Sequence, residues 1–411
     1  MRRLSPLCLV PLAAQLASAQ PGSPPNVPLS PGSVGQAPQV SFERAEDGAT
    51  LIVVPPMAQM AAPIVIQASG LYRLTGNVVM TGDASAFVID RANVTLDLNG
   101  FVIVGKRQTQ HGIRVSGVRS AIAIRNGVIR DFADGINLTN CLSAQLSDLI
   151  IETCNGDGVE STDSVSVKGC TFRNNQGYGA SVGPSSRVSD CIAIFNKIGG
   201  IAAASDSIVK DCVANDNTIY GIACGPGVLV LDSVASRNGN AGIFSDDNVV
   251  VSRAAANSNT IRGINAGPAS VIAESSIHTA QSFGIYCDSG VVWASSAASV
   301  GGAGIALVNS LGSAVEASSC GIGVGADGRS RAQNALATSS TLGVFVAGSG
   351  KDLSSYNNNG SGILATSGGI VTNSIARFNS PNYEVDQGRI GTVLTFSPGS
   401  FSTTNPAFNH E

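Results

Sequence analysis

A glycine followed by a small or aliphatic residue recurs at Gly112, Gly135, Gly158, Gly179, Gly200, Gly221, Gly242, Gly263, Gly284, Gly304, Gly323, Gly343 and Gly362, at spacings of 19 to 23 residues. Two more ladders keep the same step. Asn175, Asn196, Asn217, Asn238 and Asn259 each stand four residues before a glycine, and the series resumes at Asn358 and Asn379. Cys170, Cys191, Cys212, Ser233, Ala254 and Ser275 form a column that admits only small residues. Equivalent positions held in register over so many repeats are stacked in space.

A 21-residue period is too short for a helical repeat, and its apolar residues alternate in short runs, as in Val188, Cys191 and Ala193, then Ile201 and Ala203. It fits one coil of a β-solenoid: three short strands separated by bends, with successive coils paired in parallel ~4.8 Å apart. The period excludes a left-handed hexapeptide solenoid. Composition agrees: the chain has only eight Glu and five Lys but 48 Gly among 411 residues, an all-β usage rather than a helical one. The ladder glycines are expected to supply φ > 0 at one bend. The asparagines are expected to hydrogen-bond up and down the stack. About 14 regular coils, plus irregular N-terminal ones, give a rod of roughly 65 Å.

The ends differ from the repeat. Residues 1–19 (MRRLSPLCLVPLAAQLASA) have two arginines, an apolar run and a small-x-small cleavage site, the pattern of a secretory signal peptide, so the chain is expected to be exported to the periplasm, cell surface or medium. Residues 20–40 form a Pro-rich linker, 41–63 an N-terminal cap, 64–394 the solenoid and 395–411 a C-terminal tail. A net charge of −4 with no Lys/Arg cluster in the repeat argues against a nucleic-acid partner, and no later apolar run reaches the ~18 residues of a membrane span.

Several segments resemble exported bacterial right-handed parallel β-helix repeat proteins of the pectate-lyase-like superfamily: GLYRLTGNV (70–78), NVTLDLNGF (93–101), IAIRNGVIRDFADGI (122–136), the recurrent Val-x-Asp-Cys at 188–191 and 209–212, and NYEVDQGRIGTV (382–393) with TNPAFN (404–409). The resemblance spans about residues 64–409 and implies a right-handed parallel β-helix. It also implies a polysaccharide partner, because that superfamily includes pectate lyases, polygalacturonases, alginate-processing enzymes and phage tailspikes. The polygalacturonase-like motifs are incomplete: Asp246-Asp247 stands without a Gly-His-Gly, and Arg389-Ile390 is followed by Gly391 in place of Lys. The Asp-Pro-His-Glu signature of alginate epimerases is absent, and the histidines are only His111, His278 and His410.

With the ladder glycine as position 0, positions 1, 3, 9, 12 and 14 should face inward and 2, 8, 10, 13 and 15 outward. Position 11 holds Asp190, Asp211, Asp232, Arg253 and Glu274, with Lys210 beside it. Stacked carboxylates repel, which raises pKa values or recruits a cation. In a lyase, Asp190 and Asp211 would ligate Ca²⁺ and Lys210 or Arg253 would take a proton from a uronate. In an inverting glycosidase, Asp190 and Asp232, roughly 9.6 Å apart, would be the carboxylate pair. Otherwise these side chains serve the bend alone. Tyr178, Tyr220, Phe244, Phe283 and Tyr286 are candidates to stack on sugar rings. Outward aliphatics at Ile208, Leu229, Val250, Val271 and Val292, with Ile192, Val213 and Val234 in a second column, suggest a covered face or a homo-oligomer. Two functions remain open: an exported protein that binds, and in the enzyme case processes, an acidic polysaccharide; or a non-catalytic surface rod.

Overall fold

In the computed structural model, residues 40–55, 59–107, 110–366, 368–386, 389–390 and 401–403 are described. The leader at 1–19 and nearly all of the linker at 20–40 and of the tail at 395–411 lie outside them. The described chain is a right-handed parallel β-helix of about 16 turns. One coil shows the plan: strand Gly199–Ala203 lies in sheet 1, Ile208–Lys210 in sheet 2 and Val213–Asn215 in sheet 3, each paired in parallel with its equivalent one coil away. Nearer the N-terminus sheets 2 and 3 run together in the nine-residue strands Ile122–Arg130 and Ala144–Glu152. That end begins with a hairpin, Ser41–Arg44 antiparallel to Thr50–Val53, and the second strand passes the parallel order on to Gly70–Leu74. No helix occurs among the described residues.

Burial follows the alternation. In this coil Ile201, Ala203, Val209, Cys212 and Ala214 are all within 3% of complete burial. The interior is narrow, so it admits mainly Ala, Val, Ile, Ser and Cys, and all eight cysteines of the described residues are buried and free.

The ladder glycines have a different role from the one expected. None has positive φ; the left-handed positions fall to other residues, such as Asp206, Asp211 and Asp216 at the three bends of one coil, with φ of 58°, 53° and 56°. Asp and Asn are among the few side chains that tolerate that region. The ladder glycines sit inside the sheet 1 strands where coils crowd the core. A Cβ on Gly200 would stand 2.7 Å from Gly221 O and 2.9 Å from Ala214 Cβ. Close approach, not backbone reach, selects glycine there.

Each left-handed bend turns the next residue inward, and that residue carries the ladder. Asn196 N–H donates to Asn217 Oδ1 at 3.0 Å and Asn217 N–H to Asn238 Oδ1 at 3.0 Å. The amide nitrogens Nδ2 of Asn196 and Asn217 reach those same oxygens at 3.1 Å and the carbonyls of Phe172 and Ala193 at 3.2 and 3.1 Å. Serine does the same at the other bends: Ser186 N–H donates to Ser207 Oγ and Cys212 N–H to Ser233 Oγ.

The outward apolar column needs one correction. Its members are Ile208, Leu229, Val250, Val271, Val291 and Leu311, because the coil after Gly284 has lost one residue from the bend before its sheet 2 strand. Val292 therefore faces the core and is fully buried.

Two stability outcomes are expected. Asn217→Ala strands a buried N–H and a carbonyl in addition to losing the ladder contacts, so it should cost about 3 kcal/mol or more in chemical denaturation. Gly200→Ala should cost about 1–3 kcal/mol through overpacking. Asp216→Gly, at a half-buried left-handed bend, loses a surface ion pair with Arg237 but leaves no buried group unpaired, and should change stability less than either.

Candidate functional site

The position 11 column lies at the surface, at the left-handed bend between sheets 2 and 3. Two of its three stacked aspartates are paired with cations. Arg253 Nε and Nη2 hold the Asp232 carboxylate at 2.6 and 3.0 Å, and Lys210 Nζ lies 3.0 Å from Asp211 Oδ2. The hydrogen bond from Arg253 holds the Asp232 carboxyl below its ordinary pKa, so the expected upward shift from repulsion does not occur there. The same carboxylates push Lys210 and Arg253 upward, away from what a proton-abstracting base needs. Asp211 Oδ2 is paired with Lys210, and among the described residues no group of three or more His, Cys, Asp or Glu side chains converges to hold a metal ion.

The outward face of sheet 1 is a better site. Two columns flank the ladder glycine there. The column just before it runs His111, Asp134, Asp157, Tyr178, Gly199, Tyr220, Ala241, Arg262 and Phe283. The column two residues after it runs Arg114, Asn137, Glu160, Ser181, Ala202, Ala223, Phe244, Asn265 and Tyr286. The stacking therefore sorts this face into an acidic end, an aromatic groove and a guanidinium end.

At the acidic end, Asp134 Oδ1 accepts the Asp157 N–H at 3.0 Å, while its Oδ2 lies 3.1 Å from His111 Nδ1 but off the line of a hydrogen bond. Asp157 Oδ1 accepts the Tyr178 N–H at 2.7 Å, and Glu160 Oε2 accepts from Asn137 Nδ2 at 2.7 Å. A Cβ on Gly177 would strike Asp157 Oδ1, so that glycine makes room for the carboxyl. Burial, aided by the nearby charges of Asp134 and Glu160, pushes the Asp157 carboxyl up to about 6 against the pull of its backbone hydrogen bond. One carboxyl is thus held with its proton up to about pH 6 within the acidic cluster.

Beyond it, Tyr178, Tyr220 and Phe244 rise around a floor of Ser181, Ala202 and Ala223, leaving a groove of about 290 Å³ with Asp246 at its rim. The Tyr220 and Phe244 rings lie 4.9 Å apart at 31°, a tilted pair. Two coils beyond Tyr220, Arg262 lies over Phe283 and Tyr286, 5.6 and 5.1 Å from their centroids, and its Nη1 donates to Asn265 Oδ1. Among the described residues Arg262 makes no ion pair with a carboxylate, and its Nε has no hydrogen-bond partner.

The structure thus gathers the five aromatics named from sequence on one face. The acidic end was missed. Its signal was present: the pairs His111/Arg114, Asp134/Asn137 and Asp157/Glu160 each straddle a ladder glycine, but they resolve into a cluster only when coils are read side by side.

Residues 63–207 match the family model described as "Right handed beta helix region". No curated protein matches the chain. Among solved structures, the A-module of the Azotobacter vinelandii mannuronan C-5 epimerase AlgE6 is 14% identical, with 80% of this chain and 91% of that one covered and a TM-score of 0.37. The tailspike protein of E. coli bacteriophage HK620 in complex with pentasaccharide is 12% identical over 85% and 74% of the two chains, TM-score 0.44. Pectate lyase Pel9A is 12% identical over 59% and 65%, TM-score 0.35. Residues 63–207 thus match that model, and the later coils continue the same right-handed parallel β-helix geometry.

Proposed function

We propose that this chain is an exported protein that binds a polysaccharide along the outward face of sheet 1 and acts on it with Asp157 as the proton donor. The observation that carries this reading is the groove between Tyr178, Tyr220 and Phe244, floored by small residues and continuous with the acidic end. Aromatic rings around a shallow floor of small residues suit the flat apolar faces of sugar rings. At the far end, a guanidinium held over two rings and free of any carboxylate suits the carboxylate of an acidic sugar. Asp157, protonated in part near pH 6, would give its proton to the leaving oxygen as the glycosidic C–O bond breaks, and Glu160, across the ladder glycine, would take the proton of the water that attacks the anomeric carbon. The position 11 column is a poorer choice for the chemistry, because its bases are held charged in ion pairs.

Affinity electrophoresis in polygalacturonate, alginate and dextran tests the binding. Retardation in at least one acidic polymer is expected, with Tyr220→Ala and Phe244→Ala each weakening it about tenfold, the equivalent of ~1.4 kcal/mol. Unchanged mobility of the wild-type protein in all three would sink the reading.

Asp157 has its own signature. Its native carboxyl binds the proton more tightly than the unfolded one, whose pKa is ~3.9, so its penalty is absent below about pH 4 and grows as pH rises through about 6. Asp157→Asn should match the wild-type melting temperature at pH 4 and exceed it at pH 7.5, while abolishing release of reducing ends and sparing glycan retention. A wild-type melting temperature no lower at pH 7.5, relative to the variant, than at pH 4 would remove the basis for the acid role.

A further inference from the structure

Sheet 2 presents an outward column of six aliphatic residues, Ile208, Leu229, Val250, Val271, Val291 and Leu311, where the same column carries Arg187 before them and Arg331 after. Leu311 is 37% exposed, and the neighbouring outward column places Trp293 beside them at 47% exposure. A lone exposed apolar side chain needs no explanation, but a continuous stripe along a flat sheet does.

We infer that this face is covered by a second copy of the chain, packed face to face with the two rods antiparallel. The residue order is self-complementary about a two-fold axis lying in the interface between the coils of Val250 and Val271. Reversal about that axis sets Val250 against Val271, Leu229 against Val291 and Ile208 against Leu311 of the other copy. In the neighbouring column it sets Leu231 against Trp293, twice, which gives the largest exposed apolar side chain an apolar seat. Along the adjacent bend it sets Arg253 against Glu274, also twice. Within the chain Arg253 Nη1 donates to Ser252 Oγ at 3.2 Å and lies 3.9 Å from Glu274 Oε2, a distance that leaves room for a closer carboxylate from the other copy.

The face is small for an interface. Five coil steps of ~4.8 Å by a strand ~10 Å wide, with its flanking columns, give on the order of 450 Å² per copy. The total, roughly 900 Å², falls short of the ~1,200–2,000 Å² of stable complexes, so the dimer is a weak one that dissociates on dilution.

Sedimentation velocity between about 2 and 200 µM is expected to show a monomer passing to a dimer, with Val271→Glu and Trp293→Ser each weakening assembly at least tenfold and leaving the circular dichroism spectrum unchanged. The orientation is read by cross-linking. A mixture of Leu229→Cys and Val291→Cys chains under mild oxidation should form disulfide-linked dimers several-fold more abundantly than either variant alone, because each new thiol faces the other position across the axis. A monomer at every concentration overturns the inference. So does cross-linking of Leu229→Cys alone as readily as the mixture, which would mean parallel rods.

Discussion

The structure depends on what happens to one N–H group after each left-handed bend. A bend with positive φ turns the chain sharply and leaves the next amide pointing along the rod axis, inside the core, where an unpaired donor costs about 1–3 kcal/mol. The side-chain oxygen of the equivalent residue one coil on accepts it: Asn at one bend, Ser at the others. This requirement favours residues with an oxygen close to the backbone, although Cys170, Cys191, Cys212 and Ala254 also occupy one of these columns. It also ties each coil to the next. Where the asparagine gives way to Ala280 and Val300, the third-sheet strands run on through the bend as Ser276–Ala280 and Ser296–Val300, and Ala280 pairs with Val300 through the backbone.

Outside the core the same stacking brings function within reach of simple substitutions. Any residue type placed at an outward position is repeated or contrasted at ~4.8 Å intervals, so a run of like residues becomes a surface feature. Acidic residues in coils 134 and 157, aromatics in coils 178 to 244 and an arginine in coil 262 become three consecutive zones of one face. No loop or inserted domain is needed to build them. Repetition also explains the position 11 column: an aspartate there satisfies a left-handed bend, and the Lys210 and Arg253 side chains then offset the charge that repetition accumulates.

The fold was legible because its constraint is one-dimensional. A stacked position can be read from spacing alone, and Asn175 to Asn259 and Gly158 to Gly284 declared the coil length without any knowledge of its shape. What spacing could not show was why a residue recurs. Glycine recurs at positions 200 and 221 because the neighbouring coil leaves no room for a Cβ, whereas the bends that need positive φ are served by Asp206, Asp211 and Asp216. The candidate site was half legible for a related reason. Aromatics such as Tyr220 and Phe244 announce themselves one at a time, but the Asp134, Asp157 and Glu160 cluster exists only across coils. The environment of Asp157 depends on the burial and the neighbouring charges that folding creates. The one-residue deletion after Gly284, trivial in a list of spacings, reverses the facing of Val291 and Val292.

The asparagine ladder also ends in a particular way. Asn358 N–H donates to Asn379 Oδ1 in the coil beyond it, but Asn379 N–H donates to Asn382 Oδ1, an acceptor only three residues along the same turn. The last rung therefore closes on itself. A ladder of identical amides is in principle open-ended, since each new layer inherits an unmet donor that invites another, and amyloid fibrils grow by that rule. Here the donor is taken within its own turn: once Asn382 has accepted it, the side-chain ladder among the described residues stops without calling on a further layer.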